Sequence, residues 1–195
     1  MISLELFSGC GHITKCFKDN GFDTITLDYD KKHKSDICVD LLEWDYKKYE
    51  PGFFNFIWAS PDCTSWSIAT HRHRTLKEGL LPKTEIARNG NDLILKTLEI
   101  IAYFQPEYFI IENPRGRLRH YEPMKILPYR TTVYYSNYGF KFPKPTDLWS
   151  NVPLWTETRK SIDEPIKFSN FSRNRTIRSH IPINLIHKIY NHLYK

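Results

Sequence analysis

The sequence predicts an α/β fold in which a mostly parallel sheet carries helices on both faces. Through about the first 150 of the 195 residues, short apolar runs typical of buried strands alternate with segments of helical periodicity. Several of these runs are followed by turns that carry glycine, aspartate or cysteine, and parallel sheets bind their ligands at such strand ends. A chain of this length is expected to form one domain.

The predicted strands and helices follow one another in a regular order. The first half contains a strand over residues 2–7, a helix over 12–19, and strands over 24–27, 37–39 and 53–58. The second half contains helical segments over 84–87 and 93–102, strands over 108–111, 131–135 and around 147–149, and a helix over 182–194. Asn91 or Asp92 is a suitable N-cap for the helix that includes 93–102. Residues 151 to about 180 are polar, basic and irregular.

The composition excludes several classes of protein. Apolar residues make up 41% and aromatic residues 15% of the chain, as in globular rather than disordered proteins. There is no long uncharged apolar stretch and no secretory leader, so we expect an intracellular protein without a membrane span. The four cysteines lack the spacing of metal ligands, so no metal site is predicted. A net charge of +6 favours a polyanionic partner.

Two chemically active side chains follow neighbouring predicted strands. Cys63 lies in the turn after the strand over 53–58, and Glu112 comes directly after the strand over 108–111. A thiol nucleophile beside a proton-donating carboxyl is what attack on an electron-poor ring requires. Taken singly, Cys63 could be an inert buried thiol and Glu112 an ordinary ion-pair partner. Together they indicate one reactive pocket at the sheet edge.

Three earlier strand ends carry groups suited to a nucleoside-containing cofactor. The glycines of Ser8-Gly9-Cys10-Gly11 allow a ligand to approach the backbone closely at the start of a helix. Asp28 ends the second predicted strand, where a carboxylate accepts hydrogen bonds from ribose hydroxyls. Asp40 ends the third, where it could accept from an adenine amino group. Each feature alone also suits an ordinary solvated turn.

These motifs, in this order, resemble the cytosine-5 methyltransferases that use S-adenosylmethionine. Phe7-Ser8-Gly9-Cys10-Gly11 resembles the cofactor turn of that family, Cys63-Thr64-Ser65-Trp66-Ser67 its nucleophile loop, and Glu112-Asn113 its Glu-Asn step. The amino-acid sequences of residues 57–60, 112–116 and 144–149 are most similar to those of small, virus-encoded members. The resemblance covers about residues 2–150 and implies a Rossmann-like class I methyltransferase fold. It also implies a single catalytic domain over 1–195, with 151–180 as a small vestigial recognition appendage.

The resemblance implies transfer of a methyl group from S-adenosylmethionine to C5 of cytosine in DNA. Cys63 would add to C6 of the base, Glu112 would hold N3 and the exocyclic amine, and Lys144 would stand in for an arginine that contacts the base. A base flipped out of a duplex would be the substrate. The cofactor-binding residues that the resemblance implies are Phe7, Ser8, Gly9, Cys10, Gly11, Asp28, Tyr29, Asp40, Leu41 and Pro61.

Basic residues around the nucleophile loop are candidates for contacts with nucleic acid, although such loops are often merely solvated. The resemblance places a closing loop after Cys63, and Arg residues near the C-terminus could grip phosphates. The candidate nucleic-acid-binding residues are Ser67, Arg72, Arg74, Arg115, Arg173 and Arg175.

The chain departs from the family pattern most clearly at Asp62, where the family has proline. A carboxylate next to a thiol favours the neutral SH form. A catalytically impaired nucleic-acid-binding module of the same fold therefore stays open. An RNA cytosine methyltransferase also stays open, because the recognition region is minimal. A third alternative is an amino-methyltransferase, which needs no thiol and whose Ser/Asp/Asn-Pro-Pro-aromatic loop Ser60-Pro61-Asp62-Cys63 loosely resembles. The target sequence and the oligomeric state are not indicated by the sequence.

Overall fold

In the computed structural model, the described residues are 1–68, 71–75, 80–161 and 179–195. Their strands form one seven-stranded sheet of order β3-β2-β1-β4-β5-β7-β6. The strands are β1 Ile2–Leu6, β2 Asp23–Asp28, β3 Ile37–Cys38, β4 Phe56–Ala59, β5 Tyr108–Pro114, β6 Tyr129–Tyr134 and β7 Pro145–Ser150. β1 to β5 are parallel, whereas β7 runs antiparallel between β5 and β6. The predicted α/β class with a mostly parallel sheet is confirmed.

Helices cover both faces of the sheet, as the sequence predicted. The helices of the described residues are α1 His12–Asp19, α2 Glu85–Phe104, α3 Glu122–Lys125 and α4 Ile183–Tyr194. Alternate residues of the central strands point to opposite faces. Ile57 and Ala59 of β4 belong to the core that includes α2, while Phe56 and Trp58 belong to the core shared with α1 and α4.

The predicted cap for the second helix was wrong. α2 is continuous from Glu85, and Thr84 is its N-cap, with the side-chain oxygen accepting from the Ala87 N–H at 3.3 Å. Asn91 lies inside the helix, where its Oδ1 accepts from Arg74 at 2.7 Å. A tertiary hydrogen bond therefore uses the polar side chain that the sequence suggested as a cap.

Two strand boundaries also differ from the prediction. β4 begins at Phe56 rather than residue 53, because the chain turns at Phe53, whose N–H bonds to the Glu50 carbonyl. β5 runs on to Pro114 because β7 pairs with it, with Glu112 opposite Leu148. Glu112 therefore lies within a strand rather than in the turn after it, which restricts its side chain to one face of the sheet.

Part of the predicted appendage lies outside the described residues, which omit 162–178, so the single-domain organisation stays a prediction. Beyond the appendage, α4 buries Leu185, Ile186 and Ile189 in the core that includes α1. In the described part of the chain, no helix is both long and apolar enough to cross a membrane.

Candidate active site

The carboxyl ends of four parallel strands meet at one edge of the sheet. Leu6 is in register with Leu27 of β2 and with Ala59 of β4, and Ala59 is in register with Ile111 of β5. The residue that follows each of these in-register positions along the chain therefore lies beside its counterparts at this edge. These residues are Phe7, Asp28, Ser60 and Glu112. The predicted cofactor turn, the nucleophile loop and the Glu-Asn step thus occupy one edge of the sheet.

Cys63, Glu112 and Lys144 lie within electrostatic range of one another at this edge. The pKa of the Cys63 thiol is raised to about 11, chiefly by burial and then by the charges of Asp62 and Glu112, while the charge of Lys144 lowers it. Burial also raises the pKa of Glu112, while Lys144 lowers it. Burial lowers the pKa of Lys144, and Glu112 and Cys63 counteract this. The thiol, carboxyl and amine form one coupled group.

Asp62, one residue before the thiol, has an exposed side chain and a local role in the loop. Its Oδ1 accepts a hydrogen bond from the Thr64 hydroxyl at 2.8 Å, within the turn that carries Cys63. The side chain thus stabilises the turn at the position where the related family has a proline ring. Its charge is the second-largest cause of the raised pKa of Cys63.

The nucleophile loop is fastened to β5 and to the segment after it. The Asn113 side chain donates to the Pro61 carbonyl at 2.9 Å, and the Arg117 backbone N–H donates to the Trp66 carbonyl at 2.8 Å. The Arg117 guanidinium also donates to the Ser67 carbonyl, and to that of Ile68 at 3.1 Å. Residues on both sides of Cys63 are therefore held by the strand that carries Glu112 or by the segment that follows it.

The prediction that Arg74 contacts nucleic acid was wrong. Arg74 is 1% exposed, and its guanidinium stacks 3.3 Å from the Trp66 ring centroid. All five of its N–H groups are used inside the protein, so none is left for a phosphate. Their acceptors are the carbonyls of Ser65, Leu80 and Ala87, the Ser65 hydroxyl and the Asn91 side chain.

Two glycines that the sequence did not single out make room for this loop. A Cβ at Gly90, inside α2, would lie 2.5 Å from the Ser65 Oγ. A Cβ at Gly116 would lie 2.6 Å from the Trp66 carbonyl oxygen. Gly90 interrupts the helical pattern, and a glycine inside a helix often has a packing reason of this kind. Both positions admit the close approach that fixes the residues after Cys63.

The turn after β1 has the backbone geometry of a ligand-binding glycine turn. Gly9 and Gly11 have φ of 49° and 67°, and Phe7 is also left-handed at 59°. The Gly9 N–H donates to Asp28 at 3.0 Å, and the other Asp28 oxygen accepts from the Asp30 N–H at 2.9 Å. Asp28 thus ties the end of β2 to the glycine turn.

Five of the other predicted cofactor residues lie in or after the turns at the ends of β1, β2 and β3. The hydroxyl oxygens of Ser8 and Ser35 lie 2.9 Å apart and share a hydrogen bond, and Cys10 is exposed. Tyr29 is 70% exposed, Leu41 is buried, and Asp40 caps a short 3₁₀ turn by accepting from the Leu42 N–H at 2.9 Å.

Glu5 in β1 was missed by the sequence analysis. It is 5% exposed, and burial raises its pKa to about 7. Its Oε2 accepts from the Thr14 N–H at 2.8 Å and from the Thr14 hydroxyl at 2.6 Å. A carboxyl among apolar residues of the first strand was the signal in the sequence. Its place at the start of α1, where backbone N–H groups lack helical partners, anchors that helix beside the glycine turn.

The other predicted nucleic-acid contacts have different surroundings. Arg72 and Arg115 are exposed, whereas Ser67 is half-buried with its carbonyl bonded to Arg117. Arg173 and Arg175 lie outside the described residues.

Comparison with known proteins shows the family of the chain. A model of the family described as "C-5 cytosine-specific DNA methylase" matches residues 1–128. A protein of frog virus 3 (isolate Goorha), named "Probable DNA (cytosine-5)-methyltransferase", is 36% identical over 158 residues. That match covers 76% of this chain and 70% of the viral protein. The chain belongs to the C-5 cytosine-specific DNA methylase family.

Two solved structures share the methyltransferase fold at low identity. The methyltransferase EhMeth of Entamoeba histolytica matches 88% of this chain with a TM-score of 0.56 and 16% identity. A protein described as "putative DNA modification methyltransferase" and encoded within a prophage (E. coli) matches 77% of this chain with a TM-score of 0.54 and 16% identity. This chain spans 59% and 46% of those proteins, respectively. At this identity the likeness supports the fold alone.

The methyl donor of the C-5 cytosine methylases is S-adenosylmethionine, and the strand edge fits it. A Cβ at Gly11 would meet no atom within 4 Å, so the space over the glycine turn is open to a ligand. Beside it, Tyr29 presents an exposed aromatic ring on which a base can stack, and Asp40 presents an exposed carboxylate that can accept from an amino group. These donors and acceptors suit an adenosine-containing molecule.

Proposed function

We propose that this chain is a catalytic domain over residues 1–195 that methylates C5 of cytosine in DNA through a covalent adduct with Cys63. The observation that carries the proposal is the electrostatic coupling of Cys63, Glu112 and Lys144 beside an open glycine turn. Membership in the C-5 cytosine methylase family supports DNA cytosine as the substrate.

The cofactor would be held along the edge formed by β1, β2 and β3. Backbone groups of the glycine turn would face its charged end, and Asp28 and Asp40 would accept hydrogen bonds from the ribose and the adenine. Tyr29 would stack on the adenine ring. When bound, S-adenosylmethionine supplies an electrophilic methyl group to C5 of the base. The residues in this role are Phe7, Ser8, Gly9, Cys10, Gly11, Asp28, Tyr29, Asp40, Leu41 and Pro61.

The side chains of the pocket would activate the cytosine ring. Cys63 loses its proton to solvent, and the thiolate adds to C6 while Glu112 gives a proton to N3. The lone pair that this addition places at C5 makes C5 nucleophilic. After methylation, water takes the C5 proton, the C5–H electron pair forms the C5–C6 double bond and the C6–S bond breaks to release the thiolate, and Glu112 recovers its proton from N3. Lys144 stabilises the thiolate, because its positive charge opposes the rise in the pKa of Cys63.

Nucleic acid would be bound at the same edge. Extruding the cytosine from a duplex costs about a few kcal/mol, which contacts to the phosphate backbone must offset. Arg72 and Arg115 are exposed beside the nucleophile loop and are suited to this task. Ser67, Arg173 and Arg175 are the further candidates. Arg74 is excluded from this role by its burial.

A second candidate function is a nucleic-acid-binding module without turnover. The observation that favours it is the pKa of Cys63, which burial and then Asp62 raise to about 11. At neutral pH, a thiol of that pKa is ionised in only about one molecule in ten thousand. Slow addition to cytosine would leave binding intact and methylation weak.

Trapping with 5-fluorocytosine distinguishes these functions. A DNA oligonucleotide that carries the fluorinated base is incubated with the protein and S-adenosylmethionine at about pH 8, and covalent complexes are separated under denaturing conditions. Because fluorine does not leave C5 as a proton does, a C5 methyltransferase is expected to stay attached through Cys63. Cys63→Ser should abolish the complex, whereas Cys38→Ser, a change at an exposed cysteine, should not.

The outcomes separate the alternatives. No complex on DNA, together with cofactor binding measured by calorimetry, would contradict the proposal and support the binding module. A complex on an RNA oligonucleotide alone would support an RNA methyltransferase. Methyl transfer that survives in Cys63→Ser would indicate transfer to an amino group.

A further inference from the structure

We propose that Tyr135 is a positioning residue for the methyl transfer reaction. Its hydroxyl orients the carboxyl of Glu112, and its ring holds the amine of Lys144. The inference rests on the proposed function, in which Glu112 passes a proton to the base. Nothing in the sequence motifs pointed to Tyr135, which lies in the short 3₁₀ turn Tyr135–Tyr138 after β6.

The hydrogen bond of Tyr135 leaves one oxygen of Glu112 for the substrate. Tyr135 is fully buried, and its hydroxyl donates to Glu112 Oε1 at 2.9 Å. A carboxyl group has two oxygens, and one that is fixed by a buried donor can rotate little. Oε2 is then the oxygen that remains for the flipped base.

The ring of Tyr135 and its backbone hold Lys144. The Lys144 Nζ lies 4.3 Å from the ring centroid, and the Tyr135 N–H donates to the Lys144 carbonyl at 3.5 Å. The amine also donates to the His180 carbonyl at 3.4 Å. The backbone of Lys144 has a φ of 31°, and a residue other than glycine adopts such a conformation only when its surroundings impose it. Tyr135 belongs to those surroundings and contacts both Glu112 and Lys144.

The charges around Glu112 set the direction of the effect. Burial raises the pKa of Glu112, Lys144 and the Tyr135 hydrogen bond lower it, and Asp147 raises it. The Cys63 thiol is coupled to the same carboxyl. The hydroxyl itself stays protonated, because burial and Glu112 raise the pKa of Tyr135 well above its ordinary value. Tyr135 is therefore a permanent donor that favours the ionised carboxyl, so its loss must raise the pKa of Glu112.

Tyr138, three residues later in the same turn, offers a matched control. Its hydroxyl also donates to a carboxylate, that of Glu157, whose side chain is 10% exposed. Glu157 is not among the causes of the shifted pKa values of Cys63, Glu112 or Lys144. Tyr135→Phe and Tyr138→Phe therefore remove the same kind of bond, but only the first bond lies in the reactive pocket.

The experiment titrates Glu112 directly by NMR of protein labelled with ¹³C at the glutamate carboxyl carbons, with Glu112→Gln used to assign its signal. A hydrogen bond to a charged group typically accounts for about one pKa unit or more. We expect Tyr135→Phe to raise the pKa of Glu112 by about one unit and Tyr138→Phe to leave it unchanged. This readout does not require the protein to be active.

Kinetics then tests the consequence for the reaction. Tyr135→Phe should lower kcat roughly ten- to a hundred-fold, with KM for DNA little changed, and should move the alkaline limb of the kcat profile to higher pH. Tyr138→Phe should do neither. An unchanged pKa of Glu112 in Tyr135→Phe, or an equal shift in Tyr138→Phe, would overturn the inference. If the wild type shows no methyltransferase activity but Tyr135→Phe still raises the pKa of Glu112, the result contradicts the proposed function and not the positioning of Glu112 by Tyr135.

Discussion

The carboxylate of Asp62 acts on Cys63 in two opposite ways. Its hydrogen bond to Thr64 orders the turn that presents the thiol, while its charge favours the unreactive SH form. Lys144 is the cation that opposes this charge, because it lowers the pKa of Cys63. Besides burial, which is the largest cause of its raised pKa, the reactivity of Cys63 thus depends on the opposing charges of Asp62 and Lys144, which are distant from each other in sequence.

Replacing Asp62 by asparagine should make Cys63 more reactive. Asparagine keeps an oxygen for the Thr64 hydroxyl but removes the negative charge, so the pKa of Cys63 falls. Because thiolate forms only as the pH approaches that pKa, alkylation of Cys63 should rise with pH in both proteins, with the midpoint lower in the variant. We expect about three- to ten-fold faster alkylation at about pH 8 and low salt.

Mass spectrometry of the Cys63 peptide after timed treatment with iodoacetamide measures this midpoint. The difference should shrink as salt screens the exposed Asp62 charge. Asp45→Asn removes an exposed carboxylate that does not act on Cys63 and should leave the midpoint unchanged. Equal midpoints for wild type and Asp62→Asn would contradict the assigned role.

At the scale of elements, the nucleophile loop is clamped between α2 and the segment after β5. Arg74 links the loop to α2 through the Ala87 carbonyl and the Asn91 side chain, and Arg117 links it to the segment after β5. Gly90 and Gly116 provide the space on the two sides. The loop is therefore positioned by contacts with two separate elements.

Gly90→Ala should displace the loop without unfolding α2. Alanine favours a helix over glycine by about 1 kcal/mol, but its Cβ would lie 2.5 Å from the Ser65 Oγ. We expect covalent trapping by Cys63 to slow roughly ten-fold or more, because small misplacements of a nucleophile are costly. The measurement is the rate of complex formation with the fluorinated oligonucleotide, with circular dichroism to show that the helix persists.

Removing the Ser65 hydroxyl should relieve the clash. The double variant Gly90→Ala/Ser65→Ala is expected to trap faster than Gly90→Ala alone, although Ser65→Ala by itself removes a hydrogen bond with Arg74. Such a coupling in a double-mutant cycle indicates direct contact. Additive effects of the two changes would argue against it.

At the scale of the whole molecule, α4 closes one of the two cores. It lies almost at the end of the chain but packs against α1, which follows the glycine turn, and Cys16 of α1 contacts the His187 ring at 3.3 Å. The apolar side chains of α4 that enter this core are Leu185, Ile186 and Ile189. The C-terminal helix thus supports the element that begins at the cofactor turn.

Leu185→Ala should destabilise the whole domain. Truncating a fully buried leucine typically costs about 2–5 kcal/mol, since it removes apolar contacts and leaves a cavity. Ile183→Ala, on the same helix at a position that is 41% exposed, should cost less than about 1 kcal/mol. Urea unfolding gives both values, and equal costs would show that α4 does not seal this core.

The sequence by itself determined the α/β class, the strand ends that bear Asp28, Cys63 and Glu112, and the family. These follow from periodicity and from short motifs, which depend on neighbours within a few residues. The same local view placed the helix cap at Asn91 or Asp92, because it could not show that Asn91 accepts a bond from Arg74.

Only the tertiary structure decided which polar groups act at the site and which hold it together. Arg74 looked like a phosphate contact in the sequence, yet packing on Trp66 buries it with every donor used. Tyr135 lies 23 residues from Glu112 along the chain, but the pairing of β5, β7 and β6 brings its hydroxyl to the carboxyl. Burial and partners are properties of long-range contacts, so no local pattern encodes them.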